Sequence, residues 1–306
     1  LKLMDNNILA SPLLNTIVED LLTLGYGKNE YTNTQPKKQR TVDFNQGVDA
    51  SFINKETIAL LAKLNIKPLR IAFDRFEERE LYLRAVNFAI EHGFTEISNY
   101  MLYNFLDTPF DLFQRLMINI SLNKQYSESA GRISGLIYCY PMRFAPINDE
   151  FGSHLNRKRD LFTEVPAQSR DWLENPAWTK RFVRNVQIMK SAVNGAISPT
   201  YELALRTVGE NFCTFMSNLY MPEELIRNRN KHEKRLYEFE PKRKPGTGKI
   251  EAFRDFILEL LKARDERFVF FHNAVTPNIA QIVRYALNSC SDKEMKKWLE
   301  LYLYRS

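Results

Sequence analysis

Over the first half of the chain, short runs of apolar residues alternate with polar ones, and between these runs apolar residues recur at helical spacing. Runs at residues 41–46, 66–74, 97–104 and 133–142 read as strands, and residues 1–4 as the end of another, because successive side chains of a strand point to opposite faces. In the gaps, Ile17, Val18, Leu21 and Leu22 follow Ser11-Pro12, Ile58, Leu61 and Leu64 follow Asn54, and Val86, Ala89 and Ile90 precede Gly93. Phe110, Phe113, Leu116, Met117 and Ile120 follow Thr108-Pro109. Each set is an apolar helix stripe beside a start or stop signal, so the spacing predicts four helices.

Strands about thirty residues apart, each followed by a helix, predict βαβ crossovers and hence a parallel sheet. Five strands do not close a barrel; an open doubly wound sheet, an incomplete barrel and a truncated barrel all remain open on this pattern. Three of the runs end in polar clusters that no core would select: Asp43-Phe44-Asn45-Gln46, Arg70-Ile71-Ala72-Phe73-Asp74 and Asn99-Tyr100-Met101-Leu102-Tyr103-Asn104. In a β/α barrel such ends converge on one mouth and read as a ligand site. Alternation puts Leu69, Ile71 and Phe73 on the helix-facing side and Arg70, Ala72 and Asp74 inward. It allows only one of the pairs Asn99/Tyr103 and Tyr100/Asn104 to point inward.

Beyond residue 143 the pattern changes. Pro146, Asn148, Gly152, Pro166 and Pro176 interrupt the chain, which then turns predominantly helical, placing a boundary near residue 150. Helices are expected over 178–194, 200–220 and 250–264, with Ser291 and Glu294 forming a capping box for the last. Residues 223–249 are basic, with Arg227, Arg229, Lys231, Lys234, Arg235, Lys242, Arg243, Lys244 and Lys249 interleaved with Tyr237 and Phe239. Such a run can track a phosphate backbone while bases stack, but interspersed glutamates also suit a solvated linker or an intramolecular clamp.

Composition narrows the class. With 306 residues, 44% hydrophobic and 26% charged, the chain is an ordinary folded protein large enough for one big barrel or two domains. No run of about 18 apolar residues occurs and no secretory leader opens the chain, so the expectation is a cytoplasmic protein without a membrane partner. Leu1 already belongs to an apolar run, as though numbering begins inside a strand, and an N-terminal truncation is expected. Cys139, Cys213 and Cys290 lie far apart with no metal-ligand spacing. A net charge of +6 and a pI near 9.0 point toward an anionic partner, but 43 Lys and Arg against 37 Asp and Glu is too even a balance for an obvious nucleic-acid stripe.

The stretches Leu3-Met4-Asp5-Asn6-Asn7, residues 42–50, Leu69-Arg70-Ile71-Ala72-Phe73-Asp74, residues 97–104 with Asp107-Thr108-Pro109, and Tyr140-Pro141-Met142-Arg143 together resemble the radical S-adenosylmethionine (SAM) superfamily over residues 1–147. The resemblance implies an α/β fold, a partial (β/α)6-type parallel barrel lacking its first strand, followed by a mainly helical C-terminal domain over 151–306. It implies an enzyme that uses a [4Fe-4S] cluster to cleave SAM and abstract a hydrogen from a substrate of unknown identity, supplied with electrons by a flavodoxin or ferredoxin. The superfamily's CxxxCxxC is absent here, so the cluster ligands are expected upstream of residue 1 and this chain alone is expected to be inactive. One alternative is a non-catalytic α/β scaffold that binds nucleic acid through its basic segment, and another is an unrelated α/β enzyme that uses the strand-end acids.

By the same resemblance, Asp5, Asn6 and Asn7 meet the SAM amino group, or else shape the strand-to-helix turn. Arg70 is a donor fork for the SAM carboxylate, or else the partner of Asp74 or Asp43 in an internal ion pair. Asp74 is also a candidate for ribose hydroxyls, and Asn45 and Gln46, with Asp49, for SAM or substrate, or else for a hydrogen-bond ladder that ties strand ends together. Asn99, Tyr100 and Asn104 suit an adenosyl group or planar substrate, and Tyr140 ends the last strand beside the adenine position.

Overall fold

This is a computed structural model, and it describes residues 1–4, 7–132, 134–144, 176–192, 194–229 and 248–304. The first half alternates strand and helix as the hydrophobic pattern demands: β1 (Lys2–Leu3), α1 (Leu14–Thr23), β2 (Asp43–Phe44), α2 (Lys55–Leu61), β3 (Leu69–Ala72), α3 (Arg79–Glu91), β4 (Ile97–Tyr103), α4 (Pro109–Ala130) and β5 (Ile137–Arg143). Every pairing between these strands is parallel: β1 on β2, β3 on β4, and β4 on β5 with Asn99 opposite Cys139 and Tyr100 opposite Tyr140.

The strands form one two-stranded and one three-stranded sheet, and no closed barrel exists among the described residues. The break between β2 and β3 is local. Gly47, at φ +85°, turns the chain back on Phe44 with a 2.8 Å backbone hydrogen bond, a conformation that suits a residue without Cβ. The path then rejoins β3 through Val48, whose N–H reaches the Arg70 carbonyl at 2.8 Å. Isolated parallel bridges join Val42 to Ile66 and Val48 to Ile71.

Local capping explains several boundaries. Asn54 and Thr108 each build a reciprocal capping box, with Thr57 and Asp111, and Pro109 occupies the first turn of α4. α1 starts three residues later than Ser11, behind a 3-10 turn at Ile8–Ala10. β5 starts at Ile137 rather than 133, because the Asn123 carbonyl on α4 accepts from the backbone N–H groups of Leu136 and Ile137 and its amide donates to the Ile137 carbonyl. Residue 133 lies outside the described residues.

The second half is helical: α5 (Lys180–Met189), α6 (Tyr201–Val208), α7 (Phe212–Tyr220), α8 (residues 223–229), α9 (Gly248–Ala263), α10 (Glu266–Val275), α11 (Ala280–Ser289) and α12 (Lys293–Glu300). The expected single helix over 200–220 is two. Gly209 at φ +117° ends α6, and Asn211 caps α7 by accepting from Thr214 N–H. The cap of α12 is Asp292, which accepts from the N–H groups of Glu294 and Met295, in place of the expected Ser291. The hydrophobic pattern left α10 and α11 unassigned.

The halves share one apolar core that runs from Ile71, Ile97 and Leu116 through Trp178 and Phe182 to Phe253 and Trp298. The outer edge of β5 is taken by this helical half: Cys139 and Ile197 exchange antiparallel backbone hydrogen bonds of 2.7 and 3.3 Å. An exposed strand edge invites unwanted pairing, and this contact covers it.

Candidate functional site

The C-terminal ends of β2, β3 and β4 surround one cavity of about 860 Å3, a size that suits a small-molecule ligand. Gln46, Gly47 and Asp49 come from the turn after β2, Asp74 and Arg75 from the end of β3, and Phe105, Leu106 and Asp107 from the loop after β4. Asn7 closes one side, where its Oδ1 accepts from Asp49 N–H at 3.4 Å. Glu77, Glu78 and Asp111 complete a lining in which six carboxylates face one arginine. The cavity is therefore acidic in a chain whose net charge is +6.

Asp74 is the carboxylate most shaped by its surroundings. Its Oδ1 accepts from Leu102 N–H at 2.7 Å, and burial raises its pKa above the usual Asp value despite that hydrogen bond and the Arg115 charge. Asp107 is likewise raised by burial. Its Oδ2 takes a 2.6 Å ion pair from Arg115, and its Oδ1 accepts from Trp178 Nε1 and Phe105 N–H at 3.2 Å. Asp49 is committed to the turn, accepting from both the N–H and the hydroxyl of Ser51.

A second polar cluster lies beside the cavity, on the strand face that points away from the helices. Arg70 grips Asp43 through two parallel bonds, Nε to Oδ1 at 2.6 Å and Nη2 to Oδ2 at 2.9 Å, and donates to Ser98 Oγ at 3.2 Å. Its guanidinium sits 5.4 Å from the Tyr100 ring centre, and Tyr100 meets Tyr140 edge-on at 5.9 Å. The hydrogen bond to Arg70 holds the Asp43 carboxyl below its ordinary value. The fork is occupied, so Arg70 is an internal ion-pair partner here and not a clamp presented to a carboxylate in the cavity.

Of the residues expected at the mouth, Asn7, Gln46 and Asp74 line the cavity, while Asp5 and Asn6 lie outside the described residues. Asn45 does not line it; its amide donates to Met4 Sδ at 3.7 Å and its carbonyl accepts from Tyr100 at 3.4 Å. Tyr100 and Tyr140 belong to the Arg70 cluster. Asn99 points the other way, toward α4: its amide donates to the Ile71 carbonyl, its Oδ1 accepts from Asn119, and Asn119 accepts from Tyr82 and donates to Cys139 Sγ. Tyr103 shares that side and reaches the Val183 carbonyl at 3.4 Å. Asn104 directly follows β4 in the left-handed region at φ +63°, buried, and neither polar atom of its side-chain amide has a hydrogen-bond partner. It is not part of the cavity lining.

The sequence assigns no site role to Arg115 or Trp178, and Asp107 enters it only within the Asp107-Thr108-Pro109 stretch. The signal for Arg115 was its spacing: with Asn119 and Asn123 it falls on the buried side of α4 beside Leu112 and Leu116, where polar residues need a reason. Of the basic residues in 223–249, Arg229 is buried and bonded to Asn218 Oδ1 and the Thr207 carbonyl, and Arg227 lies near Glu223. Residues 230–247 lie outside the described residues.

A [4Fe-4S] cluster does not fit the thiols of this chain. Cys139 is buried against Asn119 with its thiol pushed up to about 12, Cys290 is buried, and Cys213 is exposed on α7. Among the described residues no group of three His, Cys, Asp or Glu side chains is placed to hold a metal ion. No helix among them is long and apolar enough to cross a membrane. No protein-family model, curated protein or solved structure matches the chain.

Proposed function

We propose that this chain is a SAM-binding protein of the radical SAM type, with its successive parallel strands as a partial β/α barrel and its acidic cavity as the SAM site. The observation that carries the reading is the convergence of residues after three consecutive parallel strands on one cavity rich in carboxylates. SAM carries a sulfonium and an ammonium against one carboxylate, so at neutral pH it is a net cation with two ribose hydroxyls. Carboxylates and side-chain amides are acceptors for those hydroxyls and for the ammonium, and they attract the sulfonium.

Asp74 is the residue assigned to recognition, since one oxygen is fixed by Leu102 and the carboxyl lines the cavity. Asn7 and Gln46 supply amide groups across from it. Phe105 and Leu106 add apolar surface to the same lining. Reductive cleavage of SAM is not assigned to these residues, because they do not fit the iron–sulfur cluster.

Equilibrium dialysis of the full chain against SAM and S-adenosylhomocysteine tests the reading. The neutral thioether loses the sulfonium charge, and one unit charge near partly exposed carboxylates corresponds to about tenfold in affinity. SAM is expected to bind about tenfold more tightly, with the preference reduced in Asp74→Asn. Equal affinities, or no retention of either, overturn the proposal.

A further inference from the structure

Arg115 is completely buried, yet it lies one layer behind the cavity instead of in it. Burying a guanidinium is costly, and an apolar side chain of equal volume would fill the same space on α4 without that penalty. What the fork does there is specific. One terminal nitrogen, Nη1, donates to the Phe73 carbonyl at 3.0 Å and to the Leu102 carbonyl at 2.9 Å; the other, Nη2, holds Asp107 at 2.6 Å.

These acceptors sit at the strand ends that carry the cavity residues. Phe73 lies one residue past β3 and directly precedes Asp74. Leu102 is held from both sides, its N–H by Asp74 and its carbonyl by Arg115. Asp107 is held by Arg115 on one oxygen and by Trp178, from the helical half, on the other. Three hydrogen bonds and the Phe73–Asp74 peptide link thus join Phe73, Arg115, Leu102 and Asp74 in a closed circuit with α4 as its anchor.

We propose that Arg115 is the positioning residue of the cavity: its planar fork fixes the spacing between the ends of β3 and β4, and thereby the placement of Asp74 and Asp107. It touches no ligand. A lysine retains the charge but presents one ammonium, which cannot bridge two carbonyls and a carboxylate at these separations.

The test is hydrogen exchange by mass spectrometry on the full chain, read in peptides covering 101–107 and, as a remote control, α12. In Arg115→Lys, exchange over 101–107 is expected to accelerate by about tenfold with α12 unchanged, since local openings report local stability. Acceleration in both regions means a core residue with no positioning role, and unchanged exchange over 101–107 means that the fork holds nothing; either result overturns the proposal. Should Arg115→Lys fail to fold, Asp107→Asn removes only the ion pair, and acceleration by roughly threefold confined to 101–107 is then expected; unchanged exchange there overturns the proposal. The exchange readout needs no ligand, whereas the second readout, weaker SAM retention by Arg115→Lys, rests on the reading given above. Absence of SAM binding by the unaltered chain together with the expected exchange pattern removes the SAM reading alone. Unchanged SAM retention by a folded Arg115→Lys chain removes the positioning role.

Discussion

Asp74 shows how a single side chain is held between stability and recognition. Burial raises its pKa, so in the window between the ordinary Asp value of 3.8 and its own raised value the folded chain retains a proton that the unfolded chain has released. The folded state then binds more protons than the unfolded state, and stability falls as pH rises through that window. Asp74→Asn keeps an acceptor for Leu102 N–H and removes the charge. The variant is expected to be more stable than the parent at pH 7 by about 1 kcal/mol, with the gain vanishing near pH 3. Urea unfolding at the two pH values measures this, and an equal shift at both assigns the gain to packing instead of charge. The sequence marked Asp74 as inward-facing because alternation from Leu69, Ile71 and Phe73 leaves it no other side. It left Arg70 with two partners, and the choice of Asp43 depends on the parallel register of neighbouring strands. For Asn99 and Tyr100 alternation permitted two answers. The contacts of Tyr103 with Val183 and of Asn99 with Asn119 are tertiary, and they put both residues on the helix-facing side.

At the scale of elements, boundaries set by local chemistry were legible. The capping boxes at Asn54 and Thr108 use residues three apart, and the helix stop at Gly93 uses a backbone conformation that glycine adopts easily. The break between α6 and α7 was not legible, because the apolar stripe runs on through Leu203, Val208, Phe215 and Leu219 and a lone glycine inside a helix pattern is tolerated. In the fold, Gly209 is at φ +117°, and an added Cβ would lie 2.9 Å from the Phe215 backbone nitrogen. Gly209→Ala is therefore expected to destabilise the chain by about 2–4 kcal/mol, seen as a lower thermal midpoint with the same far-UV spectrum below the transition. A change within about 0.5 kcal/mol means that the α6–α7 corner is not constrained as described.

On the scale of the whole molecule, charge is sorted. A chain of net charge +6 gathers six carboxylates and one arginine around this cavity. Several of these carboxylates lie near the surface, so their attraction for a cation is screened by salt. SAM retention is expected to weaken by roughly threefold or more between 0.05 and 0.5 M salt, while that of S-adenosylhomocysteine, with no net charge, changes little. Equal salt dependence for both ligands in the dialysis measurement removes the role assigned to the acidic lining. The basic counterpart of this sorting is not a free stripe in the described part of 223–249, since Arg229 turns into the core.

Strand–helix alternation, the parallel sense of the sheet and the polarity of the strand ends were written in the linear order of residues, because each follows from periodicity or from contacts a few residues long. Which of those polar ends share a cavity was decided by long-range packing. Arg115 is 42 residues from Phe73 in the chain, Trp178 is 71 from Asp107, and Ile197 covers the β5 edge at Cys139 from the other half. Contacts at such separations depend on how elements stack, and no local pattern encodes them. For that reason Asn7, Gln46 and Asp74 came to the mouth, while Arg70, Asn99, Tyr100 and Tyr140 were drawn into pairs and networks away from it.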